Sequence, residues 1–169
     1  GWLVAVWLSY ILTEQDHRIN HVRDWVNTRR QALCKMIGQE IRETDFTDDR
    51  LAEVLSYLSQ NTVWNSIESA ISQNCIRVYK LETQTIRLDA TVAQVYHDPN
   101  ESELFKVGRT KSGTYDTQFK IMLGALDPMG MPVAVDMVSG EQGDDPLYVP
   151  VYERIRKTLK KTGLLYEGD

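Results

Sequence analysis

Ile86-Arg87-Leu88-Asp89-Ala90-Thr91 is the stretch on which the fold assignment turns. Continued by Val92, it alternates strictly: Ile86, Leu88, Ala90 and Val92 fall on one face, and Arg87, Asp89 and Thr91 on the other. That period of two is the signature of a half-buried strand. Aspartate is depleted in strand interiors, because it competes for backbone hydrogen bonds and is costly to desolvate. Rules broken this locally tend to mark functional sites. Asp89 is therefore read as one half of a metal-binding carboxylate pair, with Asp169, the last residue of the sequence, as the other.

Upstream, a polar turn at residues 82–85 separates this strand from residues 76–81, which alternate well enough to predict a further strand. Downstream, residues 97–118 form a long polar segment holding Gly108, Arg109, Lys111 and Gly113, with Lys120 just beyond. A loop of that length inside a compact domain is usually functional or mobile. The clearest hairpin follows. Phe119, Ile121, Leu123 and Ala125 alternate along one strand and Val133, Val135 and Met137 along the next. Between them, Asp127-Pro128-Met129-Gly130 has the residue order of a type I turn. A helix is then marked at both ends, with Asp145 as cap, Pro146 at its first position and Gly163 just past its end. Its expected apolar stripe is Val149, Tyr152, Ile155 and Leu159, and its expected outer face carries Arg154, Arg156, Lys157, Lys160 and Lys161. A solvated face is the default reading of those cations, and contact with a phosphate backbone is the sharper one.

Leu164-Leu165-Tyr166-Glu167-Gly168-Asp169 closes the sequence as a short apolar strand ending in Gly-Asp. Counted from the Asp89 strand, the order is β-β-β-α-β, an α/β class fold. If the first and fourth of these strands lie side by side and parallel, joined through the hairpin and the crossover helix, Asp89 and Asp169 converge at one sheet edge.

Residues 1–84 read as a helical domain, and residues 85–169 as the domain carrying the acids. Ile19, Val22, Trp25 and Val26, then Leu33, Met36 and Ile37, recur at helical spacing, and Gly38 ends the run. Thr47-Asp48-Asp49-Arg50 gives a capping residue and early acids before Leu51, Val54, Leu55 and Leu58. Another helix is expected over residues 62–72, with Trp64, Ile67, Ala70 and Ile71 inward. The tight connection at residues 59–61 allows a DNA-binding helix-turn-helix or a plain helical packing unit, and no basic recognition face is visible. His17 and His21 stand four apart without a third ligand or the Glu of a zinc-protease helix, and read as partly exposed polar residues.

Hydrophobic content of 42% and charged content of 25% are those of a globular protein. The net charge of −5 is spread over both halves, which counts against binding nucleic acid by charge alone. A carboxylate-rich metal site raises the acid count, and a bound cation offsets it. Cys34 and Cys75 lack metal-type spacing and read as buried free thiols in a reducing cytoplasm. The apolar run of residues 2–12 is too short to span a bilayer and lacks the flanks of a signal peptide, so it is expected to be a core helix. The sequence starts inside an apolar run without Met and stops at a strand end, as a fragment of a longer protein would.

Two carboxylates pressed together raise each other's pKa, and a divalent cation between them removes that cost. Oxygen-only ligation suits Mg²⁺ or Mn²⁺ rather than zinc. Such ions activate a nucleophile and stabilise a leaving oxygen in displacement at a phosphodiester. The competing structural account is that Asp89 pairs with Arg87 or Lys120, while Asp169 caps the next element.

This order of elements resembles the ribonuclease H-like core, and the wording resembles the DDE transposases of bacterial insertion sequences over nearly the whole chain. The resemblance is carried by Asp48-Asp49-Arg50-Leu51, by Arg87-Leu88-Asp89-Ala90-Thr91, and by Leu126-Asp127-Pro128-Met129-Gly130-Met131-Pro132. Ser139-Gly140, Asp144-Asp145-Pro146-Leu147-Tyr148 and Gly163-Leu164-Leu165-Tyr166-Glu167-Gly168-Asp169 follow in the same order.

The resemblance implies the helical amino-terminal domain and the first, truncated part of such a core. Asp89 and Asp169 would be the first two acids of the Asp-Asp-Glu triad, binding Mg²⁺ (or Mn²⁺) for DNA strand cleavage and transfer at transposon inverted ends. It further implies a homodimer or larger assembly on those ends and target DNA, in a bacterial cytoplasm at the nucleoid, with no membrane role. Arg109, Lys111, Lys120, Lys157 and Lys161 are the candidate DNA contacts. The third acid would lie on a later helix, beyond this sequence. Glu167 belongs to the approach to the second acid and does not fill that role. Gly108-Arg109-Thr110-Lys111 resembles a Gly-His-Ser-Lys stretch of relatives, but Ser112-Gly113-Thr114-Tyr115-Asp116 replaces the Asp-His-Arg-Pro-Asp that usually follows. Two alternatives stay open: a non-catalytic DNA-binding or inactive remnant, and a nuclease built on the same core.

Overall fold

The computed structural model describes residues 1–110 and 112–168. Its described residues form five helices and a five-stranded mixed sheet, a mixed α/β architecture. Contacts divide the chain into two compact units, Gly1–Trp64 and the residues from Asn65 onward. The expected division fell at residue 84; the observed one falls earlier because most of the fourth helix packs with the sheet.

In the first unit, α1 (Trp2–Glu14), α2 (Ile19–Ile37) and α3 (Asp48–Leu58) enclose Val6, Trp7, Tyr10, Val22, Val26, Leu33, Ile41, Phe46 and Leu51. Gly38 ends α2 in the left-handed conformation, its N–H donating to Cys34 O. Thr47 caps α3 by accepting from Arg50 N. The apolar run of residues 2–12 is α1, and no helix among the described residues is long and apolar enough to cross a membrane. Cys34 and Cys75 are free and half-buried rather than buried; Cys34 Sγ accepts from Ile41 N at 3.3 Å.

The fourth helix, α4 (Asn61–Tyr79), runs through residues 76–79, so the strand expected over residues 76–81 is absent. Ile76 and Val78 alternate like a strand, yet no glycine or proline interrupts the helix before Lys80 adopts a positive φ of 51°. Leu81 N then donates back to Ile76 O, and both side chains pack on the sheet's core.

Strand β1 (Thr85–Gln94) contains the decisive stretch, and its alternation holds: Ile86 and Leu88 are buried, Arg87 and Asp89 exposed. The expected 97–118 loop contains strand β2 (Lys106–Arg109), and β3 (Tyr115–Leu126) starts before its expected end. β1 and β3 are antiparallel, with Asp89 opposite Leu123 and Leu88 opposite Gly124. The other edge of β3 is shared: β2 pairs with its first residues, and β4 (Met131–Ser139) pairs from Phe119 to Leu126 across a bulge at Gly124/Ala125. The hairpin turns at residues 127–130 as expected, with Gly130 at φ 64°.

Helix α5 (Asp145–Leu159) crosses to β5 (Leu165–Gly168), which lies parallel to β1. Its start is one residue off the expected cap. Asp144 occupies the cap position without a side-chain cap bond, and its carboxylate instead takes Lys120 Nζ at 2.6 Å. Its buried stripe is Leu147, Val151, Ile155 and Thr158, while Val149 is exposed. Gly124 sets that phase. A Cβ there would lie 2.4 Å from Ile155 Cδ1 and 3.3 Å from Val151 Cγ1, so the bare backbone admits the helix at the middle of the sheet. Gly124→Val tests this by sign. Strand propensity alone favours Val by up to about 1 kcal/mol, whereas overpacking costs about 1–3 kcal/mol. Net destabilisation of about 1–2 kcal/mol is expected in urea unfolding; a more stable variant would refute the packing account.

The outer edge of β4 is covered by α4. Glu68 Oε1 accepts from Val135 N at 2.8 Å, and Ser72 Oγ donates to Val133 O at 3.2 Å. These side chains satisfy backbone groups that an uncovered edge would offer to another strand.

Candidate metal site on the Asp89 strand

Asp89 sits on the sheet face away from α5, in line with Arg87 and Thr91 along β1 and across from Leu123. The competing account required it to pair with Arg87 or Lys120. Both cations are engaged elsewhere. Arg87 Nε lies 3.0 Å from Asp127 Oδ1 and 3.7 Å from Glu167 Oε2, and Lys120 is held by Asp144. Among the described residues the Asp89 carboxylate has no hydrogen-bond or ion-pair partner. An exposed, uncompensated carboxylate in mid-strand is a donor fit for a hard cation.

The neighbour of β1 on this side is β5, and the pairing is parallel as the sequence led one to expect. Thr85 stands opposite Leu165, Ile86 opposite Tyr166, Arg87 opposite Glu167 and Leu88 opposite Gly168. Asp169, the second expected ligand, lies outside the described residues, as does Lys111. Among the described residues, no group of three or more His, Cys, Asp or Glu side chains is arranged to hold a metal. Glu167, which the sequence reading set aside, is drawn to Arg87.

The basic candidates are dispersed over the fold. Arg109 is exposed on β2, and Lys157 and Lys161 are exposed at the end of α5, where Lys161 Nζ donates to Thr83 Oγ1. Lys120 is only 12% exposed and is neutralised by Asp144. Arg154 is not on the outer face where the sequence put it. It turns inward to Glu68, with Asp136 at 3.4 Å.

One polar constellation escaped the sequence reading. In the connection between α1 and α2, Asp16 accepts from Arg18 N at 3.0 Å, Arg18 Nε at 2.9 Å and Tyr10 Oη at 2.6 Å, with His21 Nδ1 at 3.0 Å. His17 precedes α2, so the two histidines do not share a helix face. The Arg18 guanidinium and Tyr10 hydroxyl hold the Asp16 carboxyl well below its ordinary value of 3.8. Burial, reinforced by Asp16, pushes the Tyr10 phenol up to about 12. The group is self-satisfied, which marks it as a cap on the chain reversal. A depressed carboxyl stabilises the fold above its unfolded pKa and loses that contribution as pH falls. Thermal melts from pH 5 down to pH 2 are therefore expected to drop more steeply for the wild type than for Asp16→Asn; parallel curves would remove Asp16 from this role.

Comparison of the chain with protein-family models, curated proteins and solved structures returned no match.

Proposed function

We propose that this chain belongs to a DDE-type transposase, its sheet unit part of a ribonuclease H-like core. In this reading Asp89 and Asp169 are the first two acids of the triad and together hold Mg²⁺ or Mn²⁺. The observation that carries it is the parallel pairing of β5 with β1, which runs to Leu88 opposite Gly168. In sequence, the next residue of each strand is one of the two acids. The strand order supports the same core: β4, β3 and β1 are successive antiparallel neighbours, and β5 joins β1 through a crossover helix.

A bound divalent cation would polarise the phosphodiester and favour the ionised nucleophile. The chain's own groups do the rest. Asp89 offers an uncompensated carboxylate, while Arg87 keeps Asp127 and Glu167 paired. Arg109, Lys111, Lys157 and Lys161 serve as phosphate contacts that position DNA without reading sequence. Lys120 is the weakest member of that set, because Asp144 already holds it.

The test is DNA cleavage by the protein in which this chain continues to its third acid, assayed on DNA carrying the element's ends. Mg²⁺-dependent nicking is expected, abolished by Asp89→Asn or Asp169→Asn while DNA binding persists. Cleavage that ignores the cation, or survives either substitution, would contradict the assignment.

A further inference from the structure

We propose that α4 carries a self-association surface, through which it pairs antiparallel with the α4 of a second copy of this chain, about a two-fold axis at Ile71. Trp64, Ile67, Ile71, Cys75 and Val78 lie along one side of this 19-residue helix. At 3.6 residues per turn they fall within a band about 80° wide. The sequence places Trp64, Ile67 and Ile71 inward; in the fold Trp64 is 42% exposed, Ile71 56% and Val78 54%, with Ile67 and Cys75 half-buried between them. Single exposed apolar residues are ordinary, whereas an aligned run led by a tryptophan marks a protein–protein contact. The surface is independent of the Asp89 site, which lies on β1.

The helix turns another side to the sheet. Glu68 and Ser72 bond to β4, Gln73 Nε2 donates to Thr158 O at 2.8 Å, and Ile76 joins the sheet's core. These contacts hold α4 in place and leave the apolar band facing outward as a preformed ridge. Its charged neighbours are already engaged: the Arg77 guanidinium donates to Asn74 Oδ1 at 2.7 Å, and Glu68 is held by Arg154. An apolar centre with polar groups kept to the rim is the ordinary anatomy of an interface.

The occupant follows from the spacing. The five residues are separated by three, four, four and three positions, so the order reads the same in both directions about Ile71. A surface that matches its own reverse is what a two-fold contact requires, since both copies present the same patch. Antiparallel pairing sets each Trp64 against the partner's Val78 and each Ile67 against the partner's Cys75, with the two Ile71 side chains meeting on the axis. Large meets small at each step, as interdigitating side chains require. Parallel pairing would instead set Trp64 against Trp64 and Val78 against Val78, crowding one end and leaving a gap at the other. The two Arg77 side chains then stand about 18 Å apart along the antiparallel pair, so their charges do not oppose it.

The experiment is size exclusion with light scattering on the 169-residue chain, over a concentration series, with circular dichroism to verify folding. The wild type is expected to be a dimer. Ile71→Glu brings two carboxylates together on the axis and is expected to weaken association at least about tenfold. It should still fold, since Ile71 is exposed. A monomeric wild type, or a folded Ile71→Glu variant that loses less than about tenfold, would overturn the surface. Orientation is read by oxidation in a Cys34→Ser background. The two Cys75 residues would lie about 12 Å apart along the antiparallel pair, beyond the reach of a disulfide, whose Cα atoms are about 4.4–6.8 Å apart. Ile67→Cys places a thiol against the partner's Cys75 and is expected to give a covalent dimer that Cys75→Ser abolishes. This arm carries the test if Ile71→Glu fails to fold. A covalent dimer that persists with Cys75→Ser, or none at all, would overturn the antiparallel pairing.

Discussion

Arg154→Met is expected to destabilise the protein by about 3 kcal/mol, the largest stability change of any single substitution considered. The reason lies in what remains behind. Arg154 and Glu68 are 17% and 11% exposed, and the guanidinium lies between Glu68 and Asp136 while Glu68 also accepts from Val135 N. Removing the guanidinium leaves a carboxylate largely out of water with one N–H for compensation, and an orphaned buried charge costs about 3–5 kcal/mol. Intact, the pair contributes far less, since desolvation offsets most of its attraction. The variant therefore measures the penalty of breakage. Adding Glu68→Gln should return about 1–2 kcal/mol, because the charge disappears while an amide oxygen still accepts from Val135 N. Urea unfolding of the single and double variants checks this; a single-variant loss below about 1 kcal/mol would place the pair with ordinary surface bridges.

The second large effect concerns binding. If the proposed site is right, Asp89→Asn is expected to weaken Mn²⁺ affinity by at least about 100-fold, the neutral amide removing one of the two anionic donors the proposal assigns. Its effect on stability should be small, within about 0.5 kcal/mol, because Asp89 is exposed and no side-chain partner is lost. That combination separates a ligand from a structural aspartate. If Asp89 were held by Arg87 or Lys120, the substitution would lower stability first. Calorimetric titration and urea unfolding of the same preparation distinguish the two outcomes.

Much of the sheet was legible because its signals are local. The alternation around Asp89, the turn residues at 127–130 and the helix–strand order after them led directly to β1, the β3–β4 hairpin and β5, whose parallel pairing with β1 was a condition of the sequence argument that the fold meets. What was missed depends on contacts between distant segments. Two apolar stripes are available on α5, both containing Ile155, and only the absent side chain of Gly124 selects the one with Leu147 and Val151. That same choice turned Arg154 from an expected surface cation into the partner of Glu68. Ile76 and Val78 read as strand because β-branched residues alternate there, yet Ser72 and Glu68 tie the same helix to β4. The segment before β3 looked like loop because β2 is short and polar, and pairing with β3 supplies what its composition does not. Asp16 carries no signal in the sequence, since its partners Tyr10, Arg18 and His21 meet only once α1 and α2 are folded against each other.

For the candidate site, Asp89 was legible as a residue out of place in a strand. The engagement of Arg87 by Asp127 and Glu167 was not, because those acids come from a turn and from a strand distant in sequence.

The most direct measurement is anomalous diffraction at the manganese edge from crystals of this chain grown with Mn²⁺. A strong peak at the Asp89 carboxylate, in the middle of β1 just past its pairing with β5, is the expected result. Full occupancy of Mn²⁺ at other side chains, with Asp89 unliganded, would contradict it.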